Sequence, residues 1–197
     1  VAYYGRPADA EGLEFWAEQI EARGAQAVVS DFGTSEEYTA RFGGLENEAL
    51  VNGIYQQAFG RSADAEGLAF YVDKLESGEL NLASIALTIV QNATNADAPD
   101  ADALSNKVAA ADLYTAEAGA LHSGTEADEY AADFLSDVDA GTDVSAIDFA
   151  DVVANIPQPQ EPTDPEVPSD TIDVTFNTST VGNSEDIFGT FETTEDG

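Results

Sequence analysis

The sequence predicts an all-α protein: a stack of short helices from two to three degenerate repeats, followed by a Pro-rich linker and the start of a β segment. Three observations carry this expectation. The phrase at residues 4–16 returns at 59–71, a shift of 55 residues. Apolar residues recur at helical spacing up to Ile156. Beyond it Pro157, Pro159, Pro162, Pro165 and Pro168 change the character of the chain.

Each repeat copy reads the same way. Tyr4-Gly5-Arg6-Pro7-Ala8-Asp9 in the first is answered by Phe59-Gly60-Arg61-Ser62-Ala63-Asp64 in the second. A helix ends at the aromatic–glycine pair, with Gly5 or Gly60 suited to a left-handed C-terminal position. The next helix starts from Asp9 or Asp64 as N-cap, with Glu11 or Glu66 favouring the dipole, and Gly12 or Gly67 completes the motif. Leu13, Trp16, Ala17 and Ile20 line one face, as do Leu68, Tyr71, Val72 and Leu75. Phe15 and Phe70 fall on the opposite side, which predicts a helix buried on two faces.

A helix over 46–59 precedes the second copy. The first copy begins inside the matching helix, so the natural protein is expected to start upstream of Val1. Ser77-Gly78 reads as a turn, and 82–92 as a further helix. A decayed third copy follows, with helices over 106–120, 126–138 and 144–156; it lacks the glycine–arginine turn. The organisation is then a helical domain over 1–156, an acidic Pro-rich linker over 157–170 and a Thr-rich β start over 171–197, expected to continue past Gly197.

Composition narrows the function classes. Six Lys+Arg stand against 39 Asp+Glu, a formal charge of −33. Such a chain repels nucleic acid and bare anionic membrane. No run of about 18 apolar residues occurs, so direct membrane insertion is not expected. Every Lys and Arg lies at or before Lys107, and carboxylates at the remaining density call for salt or bridging divalent cations. There is no cysteine, hence no disulfide, thiolate metal site or thiol nucleophile. This composition points outside the cell. No signal peptide is visible at Val1, so export would follow its removal or proceed without one.

The phrase Ile54-Tyr55-Gln56-Gln57-Ala58-Phe59-Gly60-Arg61-Ser62-Ala63-Asp64-Ala65-Glu66-Gly67-Leu68-Ala69-Phe70-Tyr71 resembles the hallmark of a bacterial helical repeat family of unknown function. That family is related to phycobilisome linker domains and common in exported RTX-type proteins. Residues 1–156 are also similar to the anchoring domain of proteobacterial surface-layer proteins. The resemblance implies an extracellular position on the outer cell surface, binding to lipopolysaccharide O-antigen and packing against other copies. The tail at 176–191 is similar to the segment that introduces RTX β-rolls, but it lacks their repeated glycine–aspartate pattern, so no calcium ligands carry over.

Several residues carry possible chemistry. Arg6 and Arg61 with Asp9 and Asp64 read as turn-locking ion pairs and caps, against the alternative of a ligand clamp. Trp16 and Tyr71 share one repeat position and are the candidate carbohydrate platform, against a core role. Asp137, Asp139, Asp143 and Asp148 have loop spacing like a calcium-binding EF-hand, with the glycine and last ligand off-pattern. His122 is the only histidine, which argues against zinc. No nucleophile elbow, metalloprotease or phosphate-loop motif occurs, and no enzymatic activity is expected. The expected function is structural: calcium-assisted attachment to O-antigen and subunit packing. The alternatives are a protein–protein linker module without sugar binding, or an auxiliary domain of a large RTX-type adhesin or enzyme.

Overall fold

Where the second repeat ends one helix and begins the next, the backbone does what its residues dictate. The computed structural model describes residues 1–158 apart from Asp97. Helix α4 (Asn47–Phe59) closes on Gly60, at φ 72°, whose N–H donates to the Gln56 carbonyl. A left-handed residue here is cheap only for glycine. Asp64 then caps α5 (Ala65–Glu76) by accepting from the Gly67 amide at 2.8 Å. The first copy repeats both steps: Gly5 sits at φ 65°, and Asp9 caps α1 (Ala10–Arg23) through the Gly12 amide at 2.6 Å. A Cβ at position 12 would lie 2.7 Å from the Asp9 carboxylate, so the capping side chain would have to shift to admit one.

Nine α-helices and two 3-10 turns, and no strand, make up the described residues. Besides α1, α4 and α5 they are α2 (Ala25–Thr34), α3 (Glu36–Phe42), α6 (Leu82–Ala96), α7 (Ala98–Ala118), α8 (Thr125–Ser136) and α9 (Phe149–Ala154). The turns are Gly119–Leu121 and Val144–Ala146. They form one unit, Val1–Gln160. The expected β start at 171–197 and nearly all of the linker lie outside the described residues.

α4 is the centre of the larger core. Leu50, Val51, Ile54, Tyr55, Ala58 and Phe59 are all buried on it, and Ile85, Ala86 and Ile89 of α6 meet them. α2 crosses α6 so closely that a Cβ on Gly33 would stand 2.5 Å from the Ala83 Cα. α7 is the spine. Leu104 joins the larger core, Ala110 and Ala111 meet Leu135 and Val138, and Tyr114 and Ala118 pack with Ala127, Ala131, Val153 and Ile156. Small residues along this seam let α7 and α8 approach and leave their acidic positions outside.

Four expectations are corrected. α1 is not buried on two faces: none of its residues is buried, and Phe15 is 52% exposed. On α5 only Tyr71 is buried, and Phe70 is 50% exposed. α2 and α3 fill residues to which the sequence had assigned no helix; Ser35 caps α3 by accepting from the Tyr38 amide. The third copy's last helix is broken, because Ile147 is extended and Asp148 starts a new cap.

Seven tyrosines lie in this framework, and burial raises every one of them. Tyr55 and Tyr114 are pushed up to about 12, Tyr38 higher still, and Tyr3, Tyr4, Tyr71 and Tyr130 upward. The folded state therefore prefers the neutral phenols. That contribution is complete below the ordinary tyrosine value, about 10, and is lost as pH rises through the raised values. Alkaline titration is expected to show little tyrosinate until the helical circular dichroism collapses, both changing together between about pH 10 and 12. Gradual ionisation with the helix intact would contradict this packing. Separately, Gly33→Ala is expected to lower stability by about 1–2 kcal/mol, overpacking outweighing the helix-propensity gain. Gly44→Ala, with nothing within 4 Å of its Cβ, is the thermal-melt control.

Candidate functional site

The glycine–arginine turns place two guanidinium groups alike. Arg61 Nε and Nη2 donate to the two oxygens of Asp100 at 2.8 and 2.6 Å, and Nη1 to the Ser62 carbonyl. Arg6 Nε and Nη2 donate to the two oxygens of Glu37 at 3.0 Å each, and Nη1 to the Pro7 carbonyl. Each fork thus ties a helix junction to a distant helix. The expected caps are present on both copies, and the expected ion pair only as a long Arg61–Asp64 contact, the main partners being Glu37 and Asp100. That Arg61–Asp64 approach is 3.9 Å. The cap geometry holds Asp64 below the usual carboxylate range, chiefly through the Gly67 amide. Arg61 is raised by its Asp100 hydrogen bond. Burial works against the charge on Arg6, but the Glu37 hydrogen bond and charge outweigh it.

Arg6 has a second partner. Its Nη1 lies 3.0 Å from Asp128 Oδ1, and the same oxygen is 3.0 Å from His122 Nε2. On one side of Asp128 an open groove of about 570 Å³ is lined by Tyr4, Arg6, Glu37, Arg41 and Asp133. On the other a cavity of about 300 Å³ is bordered by Asp9, Glu11, His122 and Gly124. The His122 side chain is 1% exposed, stacked edge-on to Tyr114 at 5.5 Å, and its Nδ1 has no partner among the described residues. Sequence reasoning used His122 only to argue against zinc. Nothing in its local sequence signals the Arg6–Asp128–His122 chain, which forms across helices.

The predicted carbohydrate pair is divided by the fold. Trp16 is half-buried, 4.6 Å from the Phe32 ring. Tyr71 is 5% exposed and its hydroxyl accepts from Asn92, so it turns no face to solution. Among the described residues the exposed aromatics are their neighbours, Phe15 and Phe70, each edge-stacked on Trp16 or Tyr71 at 5.0 and 5.1 Å.

The four calcium candidates do not converge either. Asp139 Oδ1 accepts from the Gly141 amide and the Thr142 hydroxyl. Asp143 caps the Val144–Ala146 turn, Asp148 caps α9, and Asp137 ends α8. No group of three or more His, Cys, Asp or Glu able to hold a metal occurs among the described residues. The loop carbonyls are already gathered: Asn106 Nδ2 donates to Asp139, Thr142 and Ala140 oxygens at 2.9, 3.1 and 3.4 Å. Beside it Lys107, 1% exposed, donates to the Leu135 carbonyl at the end of α8. Burial lowers its pKa.

Fold and site together define a helical repeat module whose motif residues are junction locks. Residues 29–98 match the family described as a domain of unknown function, DUF4214. The match includes the complete second turn, Gly60, Arg61, Asp64 and Gly67. No curated protein and no solved structure matches the chain.

The Arg61–Asp100 fork gives a direct test. Asp100 is 6% exposed, so loss of its partner leaves a desolvated carboxylate. Arg61→Lys is expected to cost about 1–2 kcal/mol, since an ammonium cannot reproduce the two-point contact. A double-mutant cycle with Asp100→Asn should show coupling of about 1 kcal/mol or more in urea melts. Additive effects would show that the fork does not hold the junction.

Proposed function

We propose that this chain contributes a non-catalytic packing module to an exported bacterial surface protein, holding neighbouring subunits together at the outer cell surface. The observation that carries the reading is Phe15 and Phe70. They occupy the same repeat position, are about half exposed, and stand on neighbours fixed in the fold. Single exposed apolar residues need no explanation, but a repeated and rigidly supported pair on an acidic chain supports contact with another surface. The motif arginines and aspartates give the catalytic alternative no comparable support, since they serve as forks and caps.

Charge adds a requirement. Copies at −33 each repel unless cations gather between them. Calcium suits this role as an ion bridging carboxylates from two surfaces, in place of a site within the 137–148 loop. The acidic, cysteine-free composition supports the extracellular setting.

A second reading, anchoring to lipopolysaccharide O-antigen, draws on the groove beside Asp128. Tyr4, Arg6, Arg41 and Glu37 set donors, acceptors and a ring around one opening, a mixture suited to sugar hydroxyls. The third, an auxiliary domain of a large RTX-type adhesin or enzyme, has no structural observation of its own.

Sedimentation of the 197-residue chain with calcium and with chelator separates these. Calcium-promoted association, weakened by Phe15→Ser and Phe70→Ser, is expected. A chain that stays monomeric at every calcium concentration overturns the packing reading. Calorimetric binding of purified lipopolysaccharide by that monomer would put the O-antigen reading in its place.

A further inference from the structure

The third repeat keeps part of the turn that the first two share. Gly119 follows α7 at φ 49°, as Gly60 follows α4 at φ 72°. α8 then runs for 12 residues, as α5 does. Two residues are exchanged between these points. Ala120 stands after the glycine in place of arginine, and Gly124 precedes the helix in place of the capping aspartate, with no side-chain cap. This copy has no guanidinium at its turn, and no Lys or Arg follows Lys107 anywhere in the sequence. The six Lys and Arg side chains that do occur are each engaged by other groups of the chain.

The cavity of about 300 Å³ beside this turn is walled by groups that accept hydrogen bonds, and among the described residues no Lys or Arg lines it. Asp9, Glu11, Asp128 and His122 border it. Asp9 commits Oδ1 to the Gly12 amide, which leaves Oδ2. Asp128 Oδ1 meets both the Arg6 guanidinium and His122 Nε2. An ionised carboxylate only accepts, so Nε2 carries the proton, and the neutral imidazole leaves Nδ1 as a bare acceptor. That atom has no partner although the side chain is 1% exposed. A buried acceptor without a donor is costly. Gly119 and Ala120 bring the carbonyl end of α7 to the same cavity. The positive end of α8 at Gly124 is offset by Glu126 and Asp128 in its first turn.

We infer that this cavity binds an organic cation with several N–H donors, a guanidinium, supplied from outside this sequence. The spread of the acceptors selects that class. The carboxylates do not converge to hold a metal ion, whereas a planar guanidinium directs five N–H donors outward and meets separated acceptors at once. A quaternary ammonium brings charge but no donor for Nδ1. The volume lies at the low end of ligand pockets and suits a guanidinium on a short alkyl stem. Two sources share this chemistry, an arginine side chain of another polypeptide and a free small guanidine. Neither subunit packing nor calcium enters, so the site stands or falls apart from the packing proposal.

His122 is the only histidine, so its imidazole nitrogens give one assignable set of NMR signals. The full 197-residue chain is titrated with methylguanidinium and with N-acetyl-arginine amide, which carry the same charge, in mildly alkaline buffer at physiological ionic strength. Both are expected to shift the Nδ1 resonance saturably at millimolar concentration, and tetramethylammonium should leave it in place. Glu11→Gln should weaken the guanidinium titrations about threefold or more. Glu18→Gln, which removes an exposed carboxylate of α1 outside the cavity, should not. Both glutamates are exposed, so the fold should survive, as circular dichroism will check. Tighter binding of the arginine amide assigns the site to a side chain of another polypeptide; methylguanidinium binding at least as tightly assigns it to a small molecule. An unmoved Nδ1 resonance, an equal shift with tetramethylammonium, or equal weakening by the two glutamate variants overturns the inference.

Discussion

In a chain this acidic, cations are the scarce component, and the structure depends on where all six are placed. Arg6 and Arg61 fork onto Glu37 and Asp100. Arg41 donates to the Tyr4 carbonyl, Arg23 pairs with Asp31 and Lys74 with Glu79. Lys107 holds the last turn of α8. Four of these six join segments at least 28 residues apart. Exposed ion pairs contribute little individually, but the Arg61 fork closes a helix junction whose alternative is an unpaired, buried Asp100 carboxylate. Removing a cation therefore costs this chain more than removing one of its many anions.

The division between what the sequence made legible and what it did not follows interaction range. Gly60, Asp64 and their first-copy equivalents were readable because a left-handed glycine and a capping aspartate act within four residues. The partners of Arg6 and Arg61 were not, since Glu37 and Asp100 arrive from 31 and 39 residues away. Helical spacing marked Leu13 and Ile20 as apolar but says nothing of whether another helix lies over them. The 137–148 loop shows the opposite hazard. Its acidic spacing fits a cation, yet an amide from Asn106, far off in sequence, takes the carbonyls.

Beyond Lys107 the sequence supplies no Lys or Arg of its own, and the helices there pack by burying small side chains. Ala110, Ala111, Ala118, Ala127 and Ala131 are each at most 6% exposed. Alanine loses no side-chain entropy on burial and lets helix backbones come close. The acidic residues between them, such as Asp112, Glu117, Glu126 and Glu129, are left exposed to solvent and counter-ions. A leucine-rich seam would hold the helices further apart. The same sequence economy leaves α7 with little apolar periodicity, which is why its first turns were not foreseen.

These constraints converge on how such a surface could meet another one. Exposed carboxylates keep copies apart at long range, so association must be local and must begin where charge is sparse or screened. The described surface offers two such places, one in each repeat. Phe15 and Phe70 stand out as projections, each edge-stacked on Trp16 or Tyr71. A projection needs a hollow, so Phe15 and Phe70 select a partner by shape at points where no carboxylate excludes it by charge.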